Sequence, residues 1–516
     1  MHLFLVAALC SLVCGRSLRH VGRGDFSQEL KRSLNFNGCY GQHCHHNKTN
    51  PIPHNNKTAQ FYVDGSAIPN VTFDIGPSYA GLLPISSEPN SSELFFWFFP
   101  SSNPFASDEI LIWLNGGPGC SSLEGLLQEI GPFLWQYGTF RPVQNPWAWT
   151  DLTNVVFVEQ PAGTGFSQKR GTPTATSEEE TSAQFLGFWK NFIDTFSLHN
   201  RKIFIAGESY AGYYVPYIAD AMHNETDPTY FNVDSILFYD PVVSTEIVQT
   251  DIPAVAFVEF WEHLFAFNET FMTHLRTQSR ECGYDEYLAT ALTYPPKGPL
   301  PPPPSANNPA CRLWDEISNA AVLVNPCWDV YQVATTCPLL WDVLGFPGSI
   351  PYLPGGTDVY FNRSDVQKAI NAPQMEWAEC SSGVLDTDTS LPSSFKVLPR
   401  IIPKNNRTII GHGLLDFILL ANGTRMAIQN MTFGGKQGFE TPPEKWEEFF
   451  VPYHEQGALS TIAGAGVMGA WVEERGLTYV EVTLSGHMVP QYAPSAAWRQ
   501  VEYLLGRIDG LGEGGK

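Results

Sequence analysis

The sequence predicts an α/β fold: a central, mostly parallel sheet interrupted by a largely helical, disulfide-stapled insertion. Three observations point to it. Apolar strand patterns occur at Glu93 to Pro100, Glu109 to Leu114, Val155 to Glu159 and Lys202 to Ala206, with a helix pattern between the last two. From about Val243 to Cys380 the chain changes character, gathering five cysteines and the run Pro299-Leu300-Pro301-Pro302-Pro303-Pro304. Such a run fits neither a central strand nor a helix. Strand patterns then return at Thr408 to Gly411 and Thr478 to Leu484, and a helix pattern closes the chain at Trp498 to Leu505. A chain of 516 residues with 43% hydrophobic content can bury a sizeable core.

The elements follow in chain order. Residues 1–16 read as a signal peptide, because Leu3 to Gly15 is an apolar run too short to span a membrane. Lys31-Arg32 reads either as a processing point that ends a pro-segment, residues 17–32, or as a plain charged pair, and 33–75 reads as a polar, irregular segment. Residues 76–242 form the first part of the α/β core. Within it, Ser177 to Phe196 reads as a helix, with Phe185, Trp189, Phe192 and Phe196 at helical spacing and Glu178, Glu179 and Glu180 in the first turn. Residues 243–380 form the insertion, or cap, and 381–516 the second part of the core. No later segment has the roughly 20 apolar residues of a membrane helix, and Asp509 to Lys516 offers no anchor.

Ten sequons suit passage through the secretory pathway: Asn47, Asn56, Asn70, Asn90, Asn224, Asn268, Asn362, Asn406, Asn422 and Asn430. N-linked glycans are the expected modification. Secretion is the first reading and vacuolar delivery the second. Eight cysteines remain beyond the leader, an even number that suits an oxidising compartment. Cys39 and Cys44 read as a local disulfide in preference to a metal site, since the ligand spacing of a zinc finger is missing. The net charge of −22 argues against nucleic acid and anionic membranes as partners. It also suits an acidic working environment.

Chemistry concentrates in Gly207-Glu208-Ser209-Tyr210-Ala211-Gly212, which follows a strand pattern and opens a helix pattern. That is the setting of a nucleophile elbow, with the serine hydroxyl raised above the sheet. A serine nucleophile needs a base, an orienter for the base and oxyanion donors. The α/β-hydrolase fold places them along the chain as Ser, then Asp or Glu, then His. Asp416 and His487 each follow a strand pattern in that order. The donors are the N–H of Tyr210 and one from the glycine loop Asn115-Gly116-Gly117-Pro118-Gly119-Cys120-Ser121-Ser122.

Several runs carry a family resemblance. They are Trp113 to Ser122, Glu129-Ile130-Gly131-Pro132, Asn145-Pro146-Trp147, Glu159 to Ser167, Gly207 to Gly212 and Gly486-His487-Met488-Val489-Pro490. Together they resemble the signatures of the serine carboxypeptidases, and the resemblance runs from about Tyr79 to Leu505. It implies Ser209 as nucleophile, His487 as base and acid, Asp416 as orienter, and Gly117 and Tyr210 as oxyanion-hole donors. It implies Asn115, Glu129 and Glu208 as binders of the substrate's terminal carboxylate, and a Cys120–Cys380 disulfide. Peptide or protein C-termini would be the substrates, with no cofactor and no metal. Pairing among Cys282, Cys311, Cys327 and Cys337 stays open, as does the oligomeric state. The sequence departs at Gly413-Leu414-Leu415-Asp416, where the family has Gly-Asp-x-Asp.

Two carboxyl groups held together cannot both ionise cheaply, so Glu208 and Glu129 are expected to share a proton. Peptide acids should then bind less well as pH rises. An acyltransferase relative and an inactive secreted binding protein are the alternatives. Acyltransferase relatives commonly carry Asp before the serine, so Glu208 favours hydrolysis, and no triad member is missing.

Overall fold

A computed structural model of the chain describes residues 55–170, 174–304, 308–345, 353, 357–456 and 463–513. The leader, the Lys31-Arg32 site, the Cys39–Cys44 pair and Asn47 lie outside the described residues. Among the described residues, eleven strands form one sheet. They are β1 (Tyr62–Val63), β2 (Ser78–Pro84), β3 (Glu93–Phe99), β4 (Glu109–Leu114), β5 (Val155–Glu159), β6 (Lys202–Glu208), β7 (Val233–Tyr239), β8 (Arg407–Gly413), β9 (Glu447–Val451), β10 (Gly466–Glu474) and β11 (Leu477–Val482). Their spatial order is β1-β2-β3-β5-β4-β6-β7-β8-β11-β10-β9.

The six strands from β5 to β11 in this order are parallel, and both flanks are antiparallel. The parallel strands are apolar on both faces because both faces are covered. Ile110, Ile112 and Leu114 of β4 enter one core while Leu111 and Trp113 enter the other. Neighbouring β3 splits likewise, with Phe96 and Phe98 on one face and Phe95, Trp97 and Phe99 on the other.

Helix α1 (Glu178–Phe196) is capped by Ser177, whose side chain accepts from the Glu180 N–H. Its Phe185, Trp189, Phe192 and Phe196 are buried at helical spacing against β3 and β4 residues. Glu178, Glu179 and Glu180 occupy its first turn, and Glu178 is buried there, its backbone N–H donating to Ser390 Oγ. The 33–75 reading needs one correction. A short 3-10 turn at Ala59–Phe61 leads into β1, where Tyr62 pairs with Tyr79 of β2. The strand read as ending at Ala206 continues through Gly207 and Glu208, and helix α2 begins at Ala211 and ends at Asn224.

Between β7 and β8 the chain leaves the sheet. Helices α3 (Asp251–Phe260), α4 (Glu269–Glu281), α5 (Tyr284–Ala291) and α6 (Leu313–Val324) share a separate apolar core. Leu415, Phe417 and Leu420, which follow β8, complete that core. Disulfides join Cys282 to Cys311, Cys327 to Cys337 and Cys120 to Cys380. The first two resolve a pairing that spacing alone left open.

Gly212 shows how closely α2 packs beneath the elbow. A Cβ there would lie 2.5 Å from the Val242 carbonyl oxygen and 2.6 Å from Pro241 Cβ. Backbone cannot yield as a flexible side chain can. We therefore expect Gly212→Ala to lose about 1–3 kcal/mol of stability in a denaturant titration. Wild-type stability in that variant would contradict the close approach.

Candidate active site

The sheet delivers Asn115, Ser209, Asp240, Asp416 and His487 beyond the C-terminal ends of parallel strands, where ligands of open α/β sheets bind. β4 runs into Asn115 and the glycine loop. β6 runs into Ser209, β7 into Asp240, β8 into Asp416 and β11 into His487. Ser209 has φ 60°, a left-handed conformation that non-glycine residues seldom adopt. Its N–H donates to the Tyr239 carbonyl and its own carbonyl accepts from Gly212 and Val242, each at 2.9 Å. The strain is thus held from both sides.

The predicted base, His487, and its predicted orienter, Asp416, are joined. His487 Nδ1 lies 2.7 Å from Asp416 Oδ2, and both groups are buried. Asp416 Oδ1 accepts from the N–H groups of Ile418 at 2.8 Å and Leu419 at 3.3 Å. Burial lifts the Asp416 carboxyl above the usual aspartate range, while His487 and these amides pull it back. His487 is also fixed through its backbone, with its N–H donating to the Tyr331 carbonyl at 2.8 Å. The other ring nitrogen, Nε2, is buried and has no hydrogen-bond partner among the described residues. No bond from Ser209 Oγ to it is formed in this structure, a gap common in substrate-free sites.

The glycine loop lies against the elbow. A Cβ on Gly116 would fall 2.5 Å from the Tyr210 nitrogen and 2.8 Å from Ser209 Cβ. Gly117 has φ 108°, a backbone only glycine adopts freely. Neither the Gly117 nor the Tyr210 N–H donates to another backbone group among the described residues. The Cys120–Cys380 disulfide and the bond from Ser121 N–H to the Glu379 carbonyl, 2.7 Å, anchor the far end of the loop. Behind it, buried Glu159 takes the Ser121 hydroxyl, the Phe166 N–H at 2.6 Å and Trp377 Nε1 at 3.2 Å. Burial pushes Glu159 up to about 7 despite these donors.

Asn115 is oriented by its neighbours. Trp113 Nε1, which can only donate, reaches Asn115 Oδ1 at 2.7 Å, and Gly125 N–H reaches it at 3.2 Å. The Asn115 amide hydrogens therefore face Glu208 Oε1, at 2.8 Å, and Glu124 Oε2. Glu129 comes from a single π-helical turn, Leu126–Ile130, a geometry that often marks functional sites. Both of its oxygens are buried without a donor, as is Glu208 Oε2. Burial pushes Glu208 up to about 8. Burial lifts Glu129 and Glu124 well above the glutamate range, and the charge of Glu208 adds to the effect on each. The structure thus brings Glu208 and Glu129 together, with Glu124 as an unforeseen third carboxyl.

Asp240 is the second surprise. It is fully buried, its Oδ1 accepts from Gly413 N–H at 2.8 Å, and its Oδ2 has no partner among the described residues. Burial, then the charge of Asp416, raises its pKa well above the aspartate value. His412 Nε2 stands 3.3 Å from Asp240, yet burial pushes its pKa down to about 3, so it stays neutral. An acid closing an apolar parallel strand, Ile236-Leu237-Phe238-Tyr239-Asp240, was the sequence signal that could have revealed it. The sets Asp240, His412, Asp416 and Glu124, Glu129, Glu208 each bring one ligand atom per residue within 4.8 Å, close enough to share a cation. His412 Nε2 is already engaged by the Leu419 carbonyl at 2.9 Å.

Six sequon asparagines are exposed: Asn56, Asn70, Asn90, Asn224, Asn268 and Asn406. Asn362, Asn422 and Asn430 are half-buried, and Asn430 Oδ1 accepts from Leu300 N–H at 3.1 Å.

Fold and site together define an α/β-hydrolase with a serine elbow. The comparisons narrow this further. The family model for serine carboxypeptidases matches residues 69–506. A probable serine carboxypeptidase of Arthroderma benhamiae is 56% identical, over 98% of this chain and 97% of its own. Serine-type carboxypeptidase F of Aspergillus niger is 41% identical, over 99% of each chain. The crystal structure of a prohormone-processing carboxypeptidase, Kex1(delta)p of Saccharomyces cerevisiae, superposes with a TM-score of 0.66 at 21% identity, covering 89% of this chain and 98% of that one. This chain belongs to the serine carboxypeptidase family.

Asp240 gives the site a checkable electrostatic signature. A carboxyl whose pKa is raised on folding binds protons more tightly in the folded state, so it makes stability fall as pH rises above about 4, its unfolded value. Asp240→Asn, with a neutral amide in place of the acid, escapes that loss. In denaturant titrations the variant should gain on wild type as pH rises from about 4 to 8. A difference that is flat or falls with pH would contradict a protonated Asp240.

Proposed function

We propose that the chain releases C-terminal residues from peptides and proteins by acyl transfer through Ser209. The observation that carries this reading is the adjacency of two constellations. Ser209, with Asp416 and His487, lies one residue from Glu208, whose carboxyl is hydrogen-bonded to Asn115 beside Glu129. A serine elbow alone serves many hydrolases. A protonated acid pair next to it suits a substrate that ends in a carboxylate.

In this mechanism a protonated Glu208–Glu129 pair and Asn115 hold the terminal carboxylate, which places the last peptide bond over Ser209. His487 Nε2 takes the Ser209 proton as Oγ attacks the carbonyl carbon. Asp416 holds His487 in the right tautomer and stabilises the imidazolium. The amides of Gly117 and Tyr210 receive the oxyanion. His487 then protonates the leaving amine, so the last residue departs and an ester to Ser209 remains. Water attacks that ester with His487 again as base, and Ser209 is restored. Acid pH favours the step that binds the substrate, because the pair must keep its proton.

The leader and the exposed sequon asparagines support passage through the secretory pathway, with glycans at those sites and with secretion or vacuolar delivery at its end. The segment 243–380 is read as an insertion over the sheet, supported by the separate core of α3 to α6.

Ser209→Ala tests the central role. Mass-spectrometric readout of a peptide mixture at acid pH should show C-terminal trimming by wild type and a loss of about a million-fold in the variant. Trimming at the wild-type rate by Ser209→Ala would remove Ser209 from its role.

A further inference from the structure

One terminal carboxylate needs one shared proton and a few donors, and Asn115, Glu129 and Glu208 supply them. The pocket holds more acid than that. Glu124 Oε2 takes the second hydrogen of Asn115 Nδ2, and it stands within the 4.8 Å cluster of Glu129 and Glu208. Glu379 precedes Cys380, so the disulfide to Cys120 and the Ser121–Glu379 backbone bond of 2.7 Å fix it beside the glycine loop. Glu124 is the largest charge acting on Glu379. Among the described residues, the charges that act most on Glu124, Glu129, Glu208 and Glu379 are those of other carboxyls, Asp342 and Asp416 included. Glu124 and Glu379 are half-buried, whereas Glu129 is 1% exposed with both oxygens unpaired.

The last side chain of a peptide leaves the same carbon that carries the terminal carboxylate. With that carboxylate on Asn115 and Glu208, the side chain enters within reach of Glu124 and Glu379. We propose that these two glutamates recognise the last side chain of the substrate and select a cationic one, lysine or arginine. An ammonium or guanidinium group there offsets the crowding, so that Glu124 and Glu379 give up the protons they otherwise retain and meet it as carboxylates. An apolar side chain would bury the same carboxyls without a partner, and an acidic one would add like charge. This proposal rests on the carboxypeptidase reading and adds the substrate class to it.

The test uses N-blocked dipeptide acids that differ only in the last residue: lysine, norleucine or glutamate. Norleucine keeps the alkyl stem of lysine without its charge. At about pH 6, wild type should favour lysine over norleucine by about tenfold or more in kcat/KM, with glutamate slowest. Glu379→Gln and Glu124→Gln should each drive the lysine-to-norleucine ratio toward one, chiefly through a higher KM for the lysine peptide. The ratio is taken within each variant, so a poorly folded variant lowers both rates alike and leaves the ratio readable. A wild-type ratio of one or less, or a wild-type ratio kept by both variants, overturns the proposal while the carboxypeptidase reading stands. Failure to shorten any of the three peptides overturns both.

Discussion

Carboxyl groups packed together away from water must hold on to protons, and this site is organised around that constraint. Glu208, Glu129 and Glu124 share one space, and Asp240 and Asp416 share another behind it. Among the described residues, the charges that act most on these glutamates are those of other carboxyls. Each added negative charge raises the cost of the next, so neutral acids persist where exposed ones would be ionised. A neutral acid can donate a hydrogen bond, which an ionised one cannot. In the first space the donor can meet a terminal carboxylate. In the second, burial and the charge of Asp416 favour a proton on Asp240, which leaves Asp416 the charge that the role proposed for His487 calls for.

The parallel sheet makes this crowding possible. Five strand ends converge on one edge, and each leads into a polar residue from a strand whose buried residues are mostly apolar. The cost of burying those residues is spread over the rest of the fold, in the two aromatic-rich cores on either face and in the disulfide that clamps the glycine loop. The strained backbone at Ser209 belongs to the same arrangement. Bonds from Tyr239, Gly212 and Val242 hold it, and Gly212 must lack a side chain for α2 to come close enough.

What the sequence made legible follows from what each element buries. Strands β3 to β6 read clearly because they are apolar on both faces. β10 did not, since only three of its nine residues are buried, at a flank of the sheet, and β2 carries Gly81 in an otherwise apolar run. The helix at Glu178 was placed correctly, while the burial of Glu178 itself depends on a loop more than 200 residues away. In the site, Ser209, Asp416, His487, Asn115, Glu129 and Glu208 lay in contiguous motifs. Glu124, Asp240 and Glu379 lay in none, for their meaning comes only from neighbours brought together by folding. The departure at Leu414 illustrates this well. Along the chain it removes an acid beside Asp416, and through space Asp240 restores one from a different strand.

The central claim is that a shared proton on Glu208 and Glu129 holds the substrate's carboxylate. Calorimetry on the Ser209→Ala protein tests it most directly, with an N-blocked amino acid as ligand and its C-terminal amide as control. The account predicts that affinity for the acid falls steadily as pH rises from about 5 to about 8, the range in which the raised carboxyls titrate, while the amide is little affected. Equal pH dependence of acid and amide, or an affinity for the acid that is flat with pH, would contradict it.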